Sequence, residues 1–162
     1  MKAKPTGYFW QTLSLGILAG MRTFAAPVVV SHILSNHPAK ALSGSPLKFM
    51  QSIKVATGLK IAAIGELVGD KLPFTPNRTE AGGVIGRCLS GALAGATIYK
   101  ANSKNMAIGV LIGSAAAFAS TFGCYFLRKT IVKNTHIDDP WIGALEDTIV
   151  ISSAIVLIKS AT

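Results

Sequence analysis

Apolar residues dominate the chain in five long stretches, and polar or charged residues are concentrated between them. A helix needs about 20 mostly apolar residues to cross the hydrocarbon core of a bilayer, and four of the stretches approach that length. The pattern therefore predicts an all-α fold, a polytopic transmembrane helical bundle of 4-5 helices that forms a single transmembrane domain over residues 1–162. The stretches are Tyr8–Leu34, Ala81–Tyr99, Met106–Leu127 and Trp141–Ile158, with a weaker one at Ile53–Val68.

Prolines indicate where the predicted helices are interrupted. Pro27 has no N–H, so the first helix is expected to kink or break beside it and to leave a carbonyl free one turn earlier. The segment KLPFTPNR, residues 71–78, contains two prolines and must leave helical structure. It fits a re-entrant gate or a loop that places Lys71 and Arg78 on lipid phosphates. Whether residues 48–70 span the membrane or lie along its surface stays open.

Composition supports a membrane location. The chain is 50% hydrophobic and only 14% charged, with a mean hydropathy of +0.48, whereas about a quarter of the residues of a soluble domain are charged. The formal net charge of +9 could suggest nucleic-acid binding. However, basic residues such as Lys104 and Arg128 stand at the edges of apolar stretches, as interfacial anchors do. We expect a multi-pass protein of the bacterial inner (plasma) membrane, with lipids and no nucleic acid among its partners.

Glycines recur four residues apart in five places. Small residues on one face let helices approach closely in lipid, where no hydrophobic drive holds them together. The spacing predicts a tightly packed bundle and a homo-oligomer, although packing within one chain would account for it equally well. The pairs are Gly16/Gly20, Gly65/Gly69, Gly82/Gly86, Gly91/Gly95 and Gly109/Gly113.

One arginine lies where lipid should not tolerate a charge. Arg22 is about 21 Å from Tyr8 along a helix, which is well inside a hydrocarbon core about 30 Å thick. A charge at the centre of a membrane helix costs at least about 2.5–3.5 kcal/mol. Arg22 is therefore expected to face a carboxylate, water or the protein interior.

Few acids are available as partners, since the chain has seven and none precedes Glu66. We predict a central polar cluster of two cations and four carboxylates. It could bind a small ion or anionic solute, with the carboxylates as proton or cation sites. It could equally be a structural ion-pair network in a scaffold or lipid-binding protein that transports nothing. Its members are Arg22, Arg87, Glu66, Asp70, Glu146 and Asp147.

An enzyme is not expected. No serine or cysteine stands at a recognisable spacing from a histidine, and no metalloprotease or phosphate-loop motif occurs. Cys88 and Cys124 have no neighbouring ligand at zinc spacing. We therefore predict neither a cofactor nor a metal.

The segments GMRTFAAP, GELVGDKLPFTPNRTEAGGVIGRCLSGALAGA and PWIGALEDTIV resemble the bacterial membrane proteins grouped as domain of unknown function 4126. The resemblance covers nearly the whole chain, and Gly69 replaces an alanine that is usual in that pattern. It implies an integral membrane protein of several helices and supplies no activity. The residues that match the family pattern are Arg22, Glu66, Asp70, Lys71, Pro73, Pro76, Arg78, Arg87, Glu146 and Asp147.

Overall fold

The computed structural model describes residues 7–69, 80–135 and 139–161, and within those ranges it is all-α and has no strand. Two of the helices, α4 and the Met106–Lys133 part of α5, are long and apolar enough to cross a membrane. The α-helices are α1 Gly7–Met21, α2 Ala25–Asn36, α3 Ile53–Gly69, α4 Ala81–Ala101, α5 Met106–Thr135 and α6 Asp139–Ala161, with short 3₁₀ helices at Lys40–Leu42 and Pro46–Gln51 between α2 and α3.

Helices α1, α4 and α5 form the centre of the bundle, and glycines set their separation. Gly91 of α4 lies against Gly113 of α5, so close that an added methyl group would collide with the facing main chain. One turn further along α4, Gly95 lies against Gly109, so these two helices run antiparallel. Gly16 of α1 also packs on Gly113. These contacts are the close backbone approach that small residues permit.

Two of the five predicted glycine pairs do not pack in this way. Among the residues that the structure describes, nothing lies within 4 Å of a methyl group added at Gly65, Gly69 or Gly82, and Gly86 lies only in ordinary contact distance of Thr23. The Gly65/Gly69 and Gly82/Gly86 pairs therefore do not contribute to the close helix contacts seen among the described residues. Spacing identifies small residues that share a helix face, but it does not say whether that face is covered.

The first apolar stretch, Tyr8–Leu34, is not one helix. Helix α1 ends at Met21, and a new helix begins at Ala25. Pro27 lies in the first turn of α2, where its missing N–H removes no intrahelical bond. The expected interruption thus occurs on the N-terminal side of the proline, at residues 22–24.

The chain turns back at this interruption, so that α2 does not extend α1. The 3₁₀ helix Lys40–Leu42, which follows α2, contacts α4, and the first turn of α4 is mostly exposed. The contact must therefore fall on the later part of α4, whose Tyr99 packs edge-on against Tyr8 near the start of α1. Helix α2 consequently lies inside the bundle, with seven of its residues buried.

Helices α3 and α6 flank this centre. Lys60 lies near His32 and Glu66 lies near Phe24, so α3 runs antiparallel to α2. Helix α6 contacts α1 and α2. It runs from Asp147 beside Arg22 back along α1, to which it is antiparallel.

Helix α5 is longer than the sequence pattern predicted. The apolar stretch ends at Leu127, but α5 continues to Thr135. This segment contains no Gly or Pro before Pro140, and lysines are good helix formers. The Thr130 hydroxyl also donates to the Phe126 carbonyl at 2.8 Å, which meets its hydrogen-bonding need within the helix.

Candidate functional site

The interruption between α1 and α2 exposes polar main-chain groups, and side chains from other helices bind them. Because Pro27 has no N–H, the Thr23 carbonyl lacks its usual partner four residues on. The Ser90 hydroxyl of α4 donates to this carbonyl. Nearby, the Thr121 hydroxyl of α5 donates to the Gly20 carbonyl at 3.2 Å. The freed carbonyl predicted from Pro27 therefore has a partner in a neighbouring helix.

Glu66 of α3 binds the main-chain N–H groups at the same place. The Thr23 N–H donates to Oε1 at 2.7 Å, and the Phe24 N–H donates to Oε2 at 3.0 Å. These groups precede the first turn of α2, where the helix dipole favours a negative charge. Glu66 was predicted to neutralise an arginine, and in the structure its carboxylate meets two main-chain N–H donors that a continuous helix would not expose.

Arg22 meets a carboxylate from the last helix. Its Nε and Nη2 atoms both donate to Oδ1 of Asp147, at 2.9 and 2.5 Å. The two side chains are only 7% and 14% exposed, so water screens the pair weakly. Asp147 is therefore a carboxylate partner for the buried charge of Arg22.

Glu146 is turned toward a different arginine. Its Oε2 atom lies 3.7 Å from Nη1 of Arg128, near the end of α5. Glu146 was predicted to lie in the cluster around Arg22 and Arg87, and Arg128 was predicted to be an interfacial anchor. Neighbouring residues on a helix point about 100° apart, so Glu146 and Asp147 leave α6 in different directions. The spacing of the two acids was the available signal for this difference.

Arg87 is buried in α4 with 6% of its surface exposed, and it lies one turn before Ser90 on the same helix. It is thus at the level of the α1–α2 interruption. Of the remaining predicted residues, Asp70, Lys71 and Arg78 lie outside the described residues.

Helices α3, α4, α5 and α6 thus each place a polar or charged side chain at the break between α1 and α2. Ser90 donates to the Thr23 carbonyl, and Asp147 accepts from the Arg22 guanidinium. Glu66 accepts from the Thr23 and Phe24 N–H groups. All of the bound groups belong to three consecutive residues, Arg22 to Phe24. Chemically, this set can hold a proton on a carboxylate, or an anion on the arginine or on the N–H groups that Glu66 occupies. Protonation of a carboxylate or binding of an anion would compete with one of the contacts that stabilise the α1–α2 break.

Comparison with known proteins gives a family. The family model described as domain of unknown function (DUF4126) matches residues 10–161, which confirms the resemblance drawn from the motifs. That description states neither an activity nor a cellular location. No curated protein and no solved structure matches the chain.

Proposed function

Because the chain belongs to the family of domain of unknown function 4126, whose name carries no activity, we propose a function from the geometry. The protein is a multi-pass protein of the bacterial inner membrane that moves a small ion or solute across the bilayer. The observation that carries this proposal is the interrupted helix α1–α2, whose break is held by ionisable side chains from α3 and α6.

The surface supports the membrane part of the proposal. Large apolar side chains are exposed along several helices, for example Leu111 at 68%, Phe118 at 51% and Val156 at 64%. Contiguous apolar patches of more than a few hundred Å² are rare on soluble monomers. In a bilayer the same side chains would contact acyl chains at no cost.

The break supports the transport part. Main chain without helical hydrogen bonds is tolerated at membrane depth only where protein or a water-filled cavity covers it. Transporters use such discontinuous helices to form substrate sites, with half-helix ends facing the solute. Ionisable groups inside membrane helices commonly mark the path of an ion or proton. Arg22 would attract an anion, and Glu66 or Asp147 would carry a proton or bind a cation.

A second candidate is a membrane scaffold or lipid-binding protein that transports nothing. The observation in its favour is that Arg22, Glu66 and Glu146 already contact groups of their own chain. Buried ion pairs can fix the arrangement of helices without taking part in any chemistry. In either case we propose a homo-oligomer, for which the open faces at Gly65 and Gly69 provide small residues.

Purified protein in liposomes separates the two candidates. The experiment compares proton, chloride and potassium flux with thermal stability for wild type, Arg22→Met, Asp147→Asn and Glu66→Gln. Lys54→Gln serves as the control, because Lys54 is exposed on α3 and lies outside the site. Transport predicts a wild-type flux that the Glu66→Gln variant loses while it stays folded. If wild type shows none of the three fluxes and the site variants are less stable, the transport proposal fails and the scaffold or lipid-binding candidate is supported.

A further inference from the structure

A cleft of about 400 Å³ opens between α1 and α6, and neither member of the Arg22–Asp147 pair is among its lining residues. Its volume lies at the lower end of the range of small-molecule sites. None of its nine lining residues is charged. The lining consists of Ser14, Ile17, Leu18 and Met21 of α1 and of Ile149, Ser152, Ser153, Val156 and Leu157 of α6.

The mouth of the cleft is apolar. Ile17, Ile149 and Val156 are 44%, 47% and 64% exposed, so the rim presents large apolar side chains to the surroundings. A ligand that reaches the cleft through this rim must itself dissolve in the bilayer, since a charged molecule would lose its hydration without gaining a partner.

The walls nevertheless carry three hydroxyl groups that are available to a ligand. Serines in this chain commonly bind the carbonyl of their own helix, as Ser35, Ser114 and Ser160 do. Within the described ranges, Ser14, Ser152 and Ser153 make no such bond or any other hydrogen bond. Both walls thus offer donors and acceptors between apolar surfaces.

We propose that this cleft binds an uncharged amphipathic lipid, an alkyl chain that ends in a hydroxyl group, with the chain on the apolar walls and the hydroxyl on the serines. The apolar lining excludes an ionic headgroup, and the three hydroxyls select against a plain hydrocarbon. This site is separate from the charged break and does not depend on transport.

The test uses the full chain in nanodiscs of phosphatidylglycerol and two photoreactive probes that carry the same diazirine on a C16 chain, hexadecanol and hexadecanoate. Mass spectrometry of the crosslinked peptides locates each probe. We expect hexadecanol to label the α1 and α6 residues of the cleft, and unlabelled hexadecanol to compete. Replacement of Ser14, Ser152 and Ser153 together by alanine should reduce this labelling about two- to tenfold, the range for a lost hydrogen bond.

Ser153→Leu should fill the cleft and remove the labelling, whereas Ser114→Leu on α5 should not. Ser153→Leu could also disturb packing. The triple alanine variant leaves the cleft open, so a loss of labelling in that variant must come from the missing hydroxyl groups. Equal labelling of all apolar faces would identify surface lipid only and overturn the proposal. Preference for hexadecanoate, or crosslinking of a second copy through the cleft, would overturn it as well. Liposome flux is a separate readout, so its absence would remove the transport function and leave this site standing.

Discussion

At the scale of the residue, the contact between Arg22 and Asp147 connects α6 to the α1–α2 break. Both side chains are largely withdrawn from solvent. Replacing Asp147 removes an ionised acceptor from two hydrogen bonds of a largely buried guanidinium, and hydrogen bonds to charged groups are stronger than those between neutral groups.

We predict that Asp147→Asn lowers the free energy of unfolding by about 1.5–3 kcal/mol, the range for a hydrogen bond to a charged group. The measurement is denaturant unfolding in detergent, followed by circular dichroism. The matched control is the double variant Arg22→Met with Asp147→Leu, which removes both charges together and should recover most of the loss. A double variant as unstable as the single one would show that the two residues are not energetically coupled.

A second prediction concerns Ser90 and Pro27. Ser90→Ala leaves the Thr23 carbonyl without its donor and should cost about 1–3 kcal/mol, the penalty for a buried unsatisfied group. In a Pro27→Ala background the new N–H can reach that carbonyl, so the same Ser90 substitution should cost about half as much or less. Unfolding of the four proteins forms a double-mutant cycle, and an identical cost in both backgrounds would contradict the explanation.

Residue-level prediction from the sequence succeeded where chemistry left few options. A guanidinium in an apolar helix requires a carboxylate or water, and a proline releases one particular carbonyl, so Arg22 and Pro27 were informative. Which acid meets Arg22 was not predictable, because Glu146 and Asp147 are adjacent and only the rotation of α6 decides between them. The contact of Glu66 with main-chain N–H groups required knowledge of where the break falls.

At the scale of the element, replacing a glycine is destabilising only where a neighbouring helix packs against it. A methyl group added at Gly16 would lie 2.7 Å from the Gly113 carbonyl oxygen and 2.6 Å from the Ala116 methyl. At Gly58 of α3 nothing lies within 4 Å. The same substitution should therefore have opposite effects at these two positions.

We predict that Gly16→Ala destabilises the protein by about 1–3 kcal/mol, because α1 and α5 must move apart. Gly58→Ala should stabilise it by up to about 1 kcal/mol, since alanine is the better helix former and meets no neighbour. Thermal unfolding of the two variants in the same detergent tests both signs. Equal destabilisation would show that α3 is covered at Gly58 in the assembled protein.

The helices themselves followed largely from apolar length and from prolines. Helices α3, α4 and α6 lie within a few residues of the predicted stretches. The sequence could not show that α2 turns back into the bundle, because a buried helix and a membrane-spanning helix are equally apolar. It also could not indicate the end of α5, where no helix breaker occurs.

At the scale of the whole molecule, the exposed apolar side chains distinguish a membrane protein from a soluble one. Phe118 is about 18 Å from the start of α5 and is 51% exposed, so in the proposed membrane protein it would lie near the middle of the bilayer. On a soluble protein an exposed position tolerates most substitutions within about 0.5 kcal/mol. In the hydrocarbon core an arginine at a helix centre costs about 2.5–3.5 kcal/mol.

We therefore predict that Phe118→Arg reduces the fraction of protein that resists alkaline carbonate extraction from membranes. Phe118→Leu, which keeps the apolar surface, should leave that fraction unchanged. Wild-type protein that is released by carbonate, together with a stable Phe118→Arg variant, would contradict the membrane assignment.

The reversal at residues 22–24 decides whether the number of membrane crossings is odd or even. If Tyr8–Leu34 were a single crossing, five crossings would place the two ends of the chain in different compartments. Because α1 and α2 enter and leave at the same end of the bundle, together they add no net crossing, and if α3, α4, α5 and α6 each cross the bilayer as proposed, the number of crossings is even. Reporter domains fused before Gly7 and after Ala161 should then report one common compartment, and protease access to opposite sides would exclude the hairpin.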